Sequence, residues 1–226
     1  MRDTNRIAEA IPLLNSCAMI RALLLLAACL CAFPLGAQTL RDTLFDAIKS
    51  GDYAETARLV KAGIHFTARN AEGETPLIVA CENARLDTVK LLLANGADIE
   101  AKSTNGETAL HSAALHMDAE IARLLLQSGA QVDIVNKDGE SPLYWAALSG
   151  SIEVVKLLVD RGARIARVDA KGNSPLHAAA ADGHMDVIAY LLDKKANRLL
   201  RNRAGERPAD LAKSRGQIAA AELLSK

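Results

Sequence analysis

The sequence predicts an all-α protein built from a repeated unit. Glycines recur at intervals of 33 residues, similar residues surround each of them, and every period holds a capped helix start followed by a leucine-rich stretch. The recurring glycines are Gly73, Gly106, Gly139, Gly172 and Gly205. A fixed period of this length indicates a repeat architecture, in which each unit packs against its neighbours.

Each unit opens with a predicted turn and a first helix. An Asn, Ser or Asp three residues before the glycine is typical of a type I turn. A hydroxyl residue two positions after the glycine can cap a helix, and proline is well suited to the first helical position because its missing N–H needs no partner there. The capping residues are Thr75, Thr108, Ser141 and Ser174, and the prolines are Pro76, Pro142 and Pro175.

A second helix follows in each unit and carries a run of leucines. Glycine closes it at Gly96, Gly129 and Gly162, as expected for the left-handed residue that ends many helices. In the fourth unit Lys195 takes this position, at a cost of about 1 kcal/mol if its φ is positive; Asn197 is the other candidate. A recurring alanine in the first helix predicts that neighbouring helices approach closely. These alanines are Ala80, Ala113, Ala146 and Ala179.

The residues after the glycines resemble the ankyrin repeat. Gly172, for example, is followed by Asn-Ser-Pro-Leu-His-Ala-Ala, which is similar to the Thr-Pro-Leu-His signature of that family. The resemblance implies a solenoid of helix-turn-helix units with β-hairpin tips. It implies an N-terminal capping repeat at 38–70, four full repeats at 71–103, 104–136, 137–169 and 170–202, and a C-terminal capping repeat at 203–226.

Residues 1–37 predict an export signal. Twelve apolar residues from Ala22 to Phe33 follow Arg21 and lead to Ala37, as in a secretory signal peptide cleaved after that alanine. The run is shorter than the roughly 20 apolar residues of a spanning helix, so no stable membrane insertion is expected after cleavage. We therefore predict a periplasmic protein, and we favour Met19 over Met1 as its start.

A lipoprotein signal is the alternative for the same segment. Leu26 to Cys29 resembles the box that precedes lipid attachment, which would place a lipid on Cys29. The following residues stay apolar, so cleavage after Ala37 is preferred. Only Cys81 would then remain, which excludes an internal disulfide. Its position beside Ala80 predicts a small buried residue.

The charge of the chain is unevenly distributed. Residues 38–193 carry 15 Lys and Arg against 22 Asp and Glu, whereas residues 194–226 carry 9 against 3. No aromatic residue stands among the basic residues of the C-terminal end, which argues against nucleic-acid binding. A solvated cap, a contact with acidic lipid headgroups and a contact with an acidic partner all fit this basic end.

No catalytic or metal-binding pattern stands out from the repeat. His111 and His177 occupy the histidine position of the signature. Because Ile78 and Tyr144 replace them in other units, we expect the imidazoles to be structural. No Cys, His or carboxylate cluster has metal-ligand spacing, and the glycines belong to turns rather than to a phosphate-binding loop. We predict a monomeric protein that is not an enzyme and uses no cofactor.

The resemblance implies a partner protein bound along the tips and the inward face of the first helices. The contacts would come from positions that the repeat leaves free. At the tips these are Lys102, Thr104, Asn105, Val135, Lys137, Asp138, Val168, Lys171 and Arg201, and on the first helices they are Leu115, His116, Tyr144, Trp145, Leu148 and Ser149. The apolar members predict a binding centre around Trp145. Packing of Trp145 between repeats is the other interpretation.

The function predicted from the sequence is that of a non-catalytic, protein-binding scaffold of the cell envelope. Fold alone does not name the partner. The alternative is an accessory protein to a periplasmic redox or haem enzyme in oxidative-stress defence, which the resemblance to bacterial ankyrin proteins suggests.

Overall fold

The computed structural model describes residues 40–63 and 67–225, where every regular element is an α-helix. The predicted signal peptide, with its cleavage site and Cys29, lies outside the described residues. All described residues except 40 and 41 belong to one compact unit, Asp42–Lys226. No helix in the described ranges is long and apolar enough to cross a bilayer.

The described helices come in pairs, one pair to each 33-residue period. A short turn joins the first helix of a pair to the second. The pairs are α1 (residues 40–50) and α2 (Tyr53–Lys61), α3 (Pro76–Glu82) and α4 (Leu86–Ala94), α5 (Ala109–Leu115) and α6 (Ala119–Gln127), α7 (Pro142–Ser149) and α8 (Ile152–Asp160), α9 (Pro175–Asp182) and α10 (Met185–Asp193), and α11 (Pro208–Ser214) and α12 (Ile218–Ser225).

The core lies between two rows of helices. From α3 to α11, each first helix packs against the next first helix, and the second helices form a looser parallel row. The recurring alanine of the first helix is fully buried, so a larger side chain there would push neighbouring units apart. The predicted close approach is confirmed at Ala80, Ala113, Ala146 and Ala179, and Ala212 continues it in α11.

A tight turn, which we call the tip, precedes each first helix from α3 onwards. In the first tip the Gly73 N–H donates to the Asn70 carbonyl and the Asn70 N–H donates to the Glu74 carbonyl, both at 3.1 Å. The Asn70 side-chain oxygen accepts from two further amides of the same turn. No described residue is in a β-strand; the tips are tight hydrogen-bonded turns, and the β-hairpins predicted there are not confirmed.

Backbone hydrogen bonds join each tip to the next. A donor N–H on one tip reaches a carbonyl 32 residues earlier, at 2.7 to 3.2 Å. The donor and acceptor pairs are Thr104 and Glu72, Lys137 and Asn105, Ala170 and Asp138, and Arg203 and Lys171. A Cβ built on Gly106 would lie 3.1 Å from the Lys137 nitrogen. The tip glycine therefore provides both its positive φ and the space that this ladder needs.

Within residues 40–63 and 67–225, three non-glycine residues adopt the left-handed conformation that glycine holds in other units. Lys195 has φ +66° at the end of α10, so this residue, and not Asn197, replaces the helix-ending glycine. Ala84 and Met117 have φ +52° and +60° in the turns between paired helices, where Gly150 and Gly183 stand in later units. A side chain in this conformation costs about 1 kcal/mol or more.

Replacing Ala84 with glycine is expected to stabilise the protein. Ala84→Gly should raise the free energy of unfolding by about 1 kcal/mol, because it removes the clash between Cβ and the backbone at positive φ. The matched control is Ala189→Gly at an exposed position inside α10, which should lower it by about 1 kcal/mol. Urea unfolding followed by far-UV circular dichroism measures both changes. A loss of stability in Ala84→Gly would contradict the assigned turn conformation.

Two glycine substitutions separate the cost of positive φ from the cost of crowding the ladder. Gly106 and Gly205 have φ +82° and +81°, but a Cβ on Gly205 would meet no atom within 4 Å. Both alanine variants should lose about 1 kcal/mol or more through φ. Gly106→Ala should lose about 1 kcal/mol further, because its Cβ presses on the next tip. Thermal unfolding measures both losses. An equal loss of stability in Gly106→Ala and Gly205→Ala would show that the tip at Gly106 is not tightly joined to the next tip.

Candidate binding surface

The first helices and the tips together form what we call the inner face. The predicted helix caps are confirmed on this face: the Thr75 hydroxyl accepts from the Ile78 N–H at 3.4 Å, and the Ser141 hydroxyl accepts from the Tyr144 N–H at 3.3 Å. In α3, α5, α7 and α9 the predicted hydroxyl residue stands at the N-cap, directly after a tip. Side chains near the start of the helix therefore lie close to both the tip of their own unit and that of the next.

His111 and His177 connect neighbouring units. The Thr108 N–H donates to Nδ1 of His111 at 3.2 Å, which leaves the proton on Nε2, and Nε2 donates to the Glu140 carbonyl at 3.1 Å. His177 repeats this arrangement with the Ser174 N–H and the Glu206 carbonyl. Each imidazole thus ties the start of its own helix to the next tip. The structural role predicted for both histidines is confirmed.

Trp145, in α7, packs against His111 of α5 and is half-buried. Its Nε1 donates to the Glu140 carboxylate at 2.7 Å, and its ring meets the His111 ring edge to face, with the centroids 5.4 Å apart. The Glu140 carboxylate also accepts from Asn136 in the adjoining tip. The Trp145 side chain therefore links its own tip to α5 and α7. This agrees with the alternative given from the sequence, in which Trp145 packs between repeats.

An open groove of about 650 Å³ lies one unit further along the inner face. Two tips and three first helices enclose it. Its apolar floor includes Leu148, Ala178, Ala181 and Leu211, and the remaining lining residues are Tyr144, Ala170, Lys171, Asn173, His177, Asn202, Arg203, Ala204, Glu206 and Arg215. A cavity of this size is comparable to the pockets that hold small ligands, which are typically ~300–1,000 Å³.

The groove carries more positive than negative charge. Lys171, Arg203 and Arg215 are its basic residues, and Glu206 is the carboxylate among its lining residues. Burial lowers the pKa of His177, which keeps that imidazole neutral. Burial raises the pKa of Tyr144, and the Asp169 carboxylate raises it further. At neutral pH these two side chains therefore add no charge to the groove.

The opposite end of the inner face is acidic. Glu82 occupies in α3 the position that Leu148 occupies in α7. Burial raises the pKa of Glu82 to about 7, and a hydrogen bond to Glu74 and the negative charges of Glu74 and Glu107 add to this effect. The inner face therefore changes from acidic near α3 to basic near α11.

Comparison with known families matches most of the chain. A model described as ankyrin repeats (3 copies) matches residues 14–103 and 98–169, and a single ankyrin-repeat model matches residues 171–203. The chain belongs to the ankyrin-repeat family. A search of curated proteins gave no significant match. Ankyrin repeats imply a protein-interaction scaffold with protein partners, and no enzyme family is among the matches.

The groove brings together three of the fifteen residues proposed from the sequence for the binding surface: Tyr144, Leu148 and Lys171. Trp145, Leu115 and Val135 are half-buried outside its lining. Ser149 is half-buried as well. The remaining members are exposed: Lys102, Thr104, Asn105, His116, Lys137, Asp138, Val168 and Arg201. The ankyrin groove therefore lies one unit towards the C terminus from the predicted centre at Trp145.

Several of the proposed residues bind within the ankyrin array itself. The Lys102 ammonium donates to the Val135 carbonyl at 3.3 Å, and the Ser149 hydroxyl donates to the Ala114 carbonyl at 3.1 Å. The Arg201 guanidinium donates to the Gly205 carbonyl in its own tip. These side chains therefore contribute to contacts along the array as well as to its surface.

The sequence pattern alone does not indicate that Arg203, Arg215 and Leu211 share one groove. The signal that identifies the groove is the alanine run from Ala178 to Ala181 in α9. Ala178 stands at the position that holds Trp145 in α7 and Leu211 in α11, so a small side chain lies between two large ones. This space is visible only when three consecutive units are compared.

The Cys81 thiol is part of the core of the ankyrin array. Cys81 is fully buried, and burial raises the pKa of its thiol. This agrees with the small buried residue predicted from the sequence, because the reactive thiolate is disfavoured. In the described ranges no group of three or more His, Cys, Asp or Glu residues is placed to hold a metal ion.

His111 should make the stability of the ankyrin array depend on pH. Burial lowers its pKa to about 4, against about 6.5 in an unfolded chain. The contribution of His111 to the free energy of unfolding is therefore complete above pH 6.5 and is lost as the pH falls towards 4. Between pH 7 and pH 5 the loss is about 2 kcal/mol. Chemical unfolding of wild type and His111→Ile at both pH values measures it. His111→Ile should be less stable than wild type at pH 7, but its stability should not fall by this amount between pH 7 and pH 5.

Glu82 acts in the opposite direction and has to be separated from His111. Because its pKa is raised to about 7, its contribution is present below pH 4.5 and is lost as the pH rises through 7. The decisive quantity is therefore the difference in the free energy of unfolding between wild type and His111→Ile at each pH. The same difference is also measured with Glu82→Gln present in both proteins. An identical pH dependence with and without His111 would contradict the neutral, buried imidazole.

Proposed function

We propose that the protein is a non-catalytic scaffold of the cell envelope that binds a partner protein along its inner face. The groove between α7 and α11 is the observation that supports this function most directly. It combines an apolar floor at Leu148 and Leu211 with a charged rim at Lys171 and Arg203. Protein hot spots commonly combine such an apolar centre with a polar surround that excludes water.

The framework around the groove is suited to binding without rearrangement. The Arg203 N–H donates to the Lys171 carbonyl at 2.9 Å, which fixes the two tips of the groove relative to each other. The His177 imidazole links α9 to the second of these tips. A partner would therefore meet a preformed surface and would not have to order it on binding, which favours affinity.

The envelope location rests on the sequence of residues 1–37. The apolar run and the small residues at its end support export, and the basic C-terminal end is compatible with an acidic partner or an acidic surface. The alternative role, as an accessory to a periplasmic redox or haem enzyme, would use the same inner face. The identity of the bound protein distinguishes a general scaffold from this accessory.

Crosslinking from the groove tests the proposed function. A photoreactive residue at Leu148, in the full chain produced in intact cells, should capture one specific envelope protein, which mass spectrometry identifies. The same residue at Lys156, exposed on the second helix α8, is the control and should not capture it. Absence of a specific product at position 148 would argue against binding in the groove.

A pair of equivalent leucines tests the same surface by mutation. Leu148→Asp should weaken capture of that partner about tenfold or more, because it places a carboxylate on the apolar floor. Leu115→Asp is the matched control, because Leu115 has the same repeat position and is also half-buried, but lies outside the groove lining. Trp145→Ala is a poorer probe, since Trp145 bonds Glu140 and contacts His111.

A further inference from the structure

The groove contains a junction between two tips that joins two basic residues. The four tip-to-tip links pair Glu72 with Thr104, Asn105 with Lys137, Asp138 with Ala170, and Lys171 with Arg203. In the first three described links, at most one partner is basic. In the fourth, the backbone bond brings both basic residues to the edge of the groove. The charge of this edge is therefore set by the geometry of the ladder.

The positive charge at this edge is not neutralised within the array. Neither Lys171 nor Arg203 forms an ion pair with any residue in the described ranges. Arg215, at the end of α11, lies 3.9 Å from the Asp182 carboxylate, a long contact between exposed side chains. The Glu206 carboxylate is engaged by the Asn202 side chain at 3.2 Å. Two of the three basic groups are thus available to an external anion.

Apolar surface lies directly beside these charges. Leu148, Ala181 and Leu211 line the same groove, and Tyr144 adds a half-buried ring. A simple anion would use the basic groups and leave the apolar floor in water. A purely apolar side chain would fill the floor and leave the basic groups without partners. The groove is complementary to a segment that offers both kinds of group.

We propose that the groove binds an extended acidic segment of the partner, in which a large apolar side chain is flanked by Asp or Glu. This proposal rests on the proposed function and adds the chemistry of the partner. The apolar side chain lies on the floor, and the carboxylates pair with Lys171 and Arg203. A Lys- or Arg-rich segment would meet like charges and is disfavoured.

The acidic end of the inner face gives the bound segment a direction. Three carboxylates stand at this end: Glu74 and Glu107 in the first two tips, and the half-buried Glu82 at the end of α3. A carboxylate on the partner would be repelled there and attracted at the groove. The acidic part of the segment therefore lies over α9 and α11, and any continuation towards α3 is neutral or basic.

Peptide selection tests this chemistry. Random peptides displayed on phage are selected on the purified protein, expressed as the full chain. The selected peptides should be enriched in Asp or Glu next to Leu, Ile, Phe or Trp, and their binding, followed by fluorescence anisotropy, should weaken as salt is raised. Enrichment of neutral or basic peptides, or no enrichment, would overturn the proposal.

A charge reversal with a matched control locates the binding. The double variant Lys171→Glu with Arg203→Glu should weaken binding of the selected peptides about tenfold or more. Lys156→Glu is the control, because Lys156 is an exposed basic residue on the second helix α8 and lies outside the inner face. It should change affinity by no more than about twofold, as expected for a screened surface charge. Equal effects of the two variants would overturn the assignment to the groove.

Two further measurements separate a peptide from other anions. Vesicles of anionic phosphatidylglycerol that sediment the wild type but not the double variant, at concentrations where peptides do not bind, would assign the basic edge to lipid and overturn the proposal. Competition of the peptide by free glutamate alone at similar affinity would also overturn it. If crosslinking from position 148 captures a partner but acidic peptides are not selected, the scaffold function stands and only this inference fails.

Discussion

The main-chain hydrogen bonds between successive tips are the constraint on which the remaining structure depends. Each bond joins an N–H to a carbonyl 32 residues away, and no side chain takes part in it. The glycine of each tip makes this approach possible through its positive φ and its missing Cβ. The surface of the tips is thereby freed from any role in the ladder, so that residues as different as Thr104, Ala170 and Arg203 are accommodated at the donor position.

Side chains then supply the specific contacts that the ladder leaves open. His111 and His177 link their helices to the next tip, while Trp145 adds a bond to Glu140 and a ring contact with His111. A histidine is replaceable at this position because the backbone ladder persists without it. The basic groove arises where this ordinary repeat framework carries Lys171 and Arg203 on adjoining tips.

The repeat framework could be predicted almost completely from the sequence, whereas the groove could not. Thr75, Ser141 and the first-position prolines identify helix starts because capping is a local interaction. The choice between Lys195 and Asn197 depended on backbone geometry that residue type does not determine. Leu211 and Arg215 reach the groove across two units from Tyr144, so their proximity follows from the stacking distance and side-chain volume rather than from any motif.

The alanines of α9 show how a binding site forms in such an array. Ala178 stands where Trp145 and Leu211 fill the equivalent space in the adjoining first helices, and Ala181 stands where Leu148 does. The groove exists because bulk is missing at these positions, so one substitution that restores bulk would close it without altering the turns or the ladder. A binding site that consists of space left by small side chains can be gained or lost through a single substitution, while the fold stays the same.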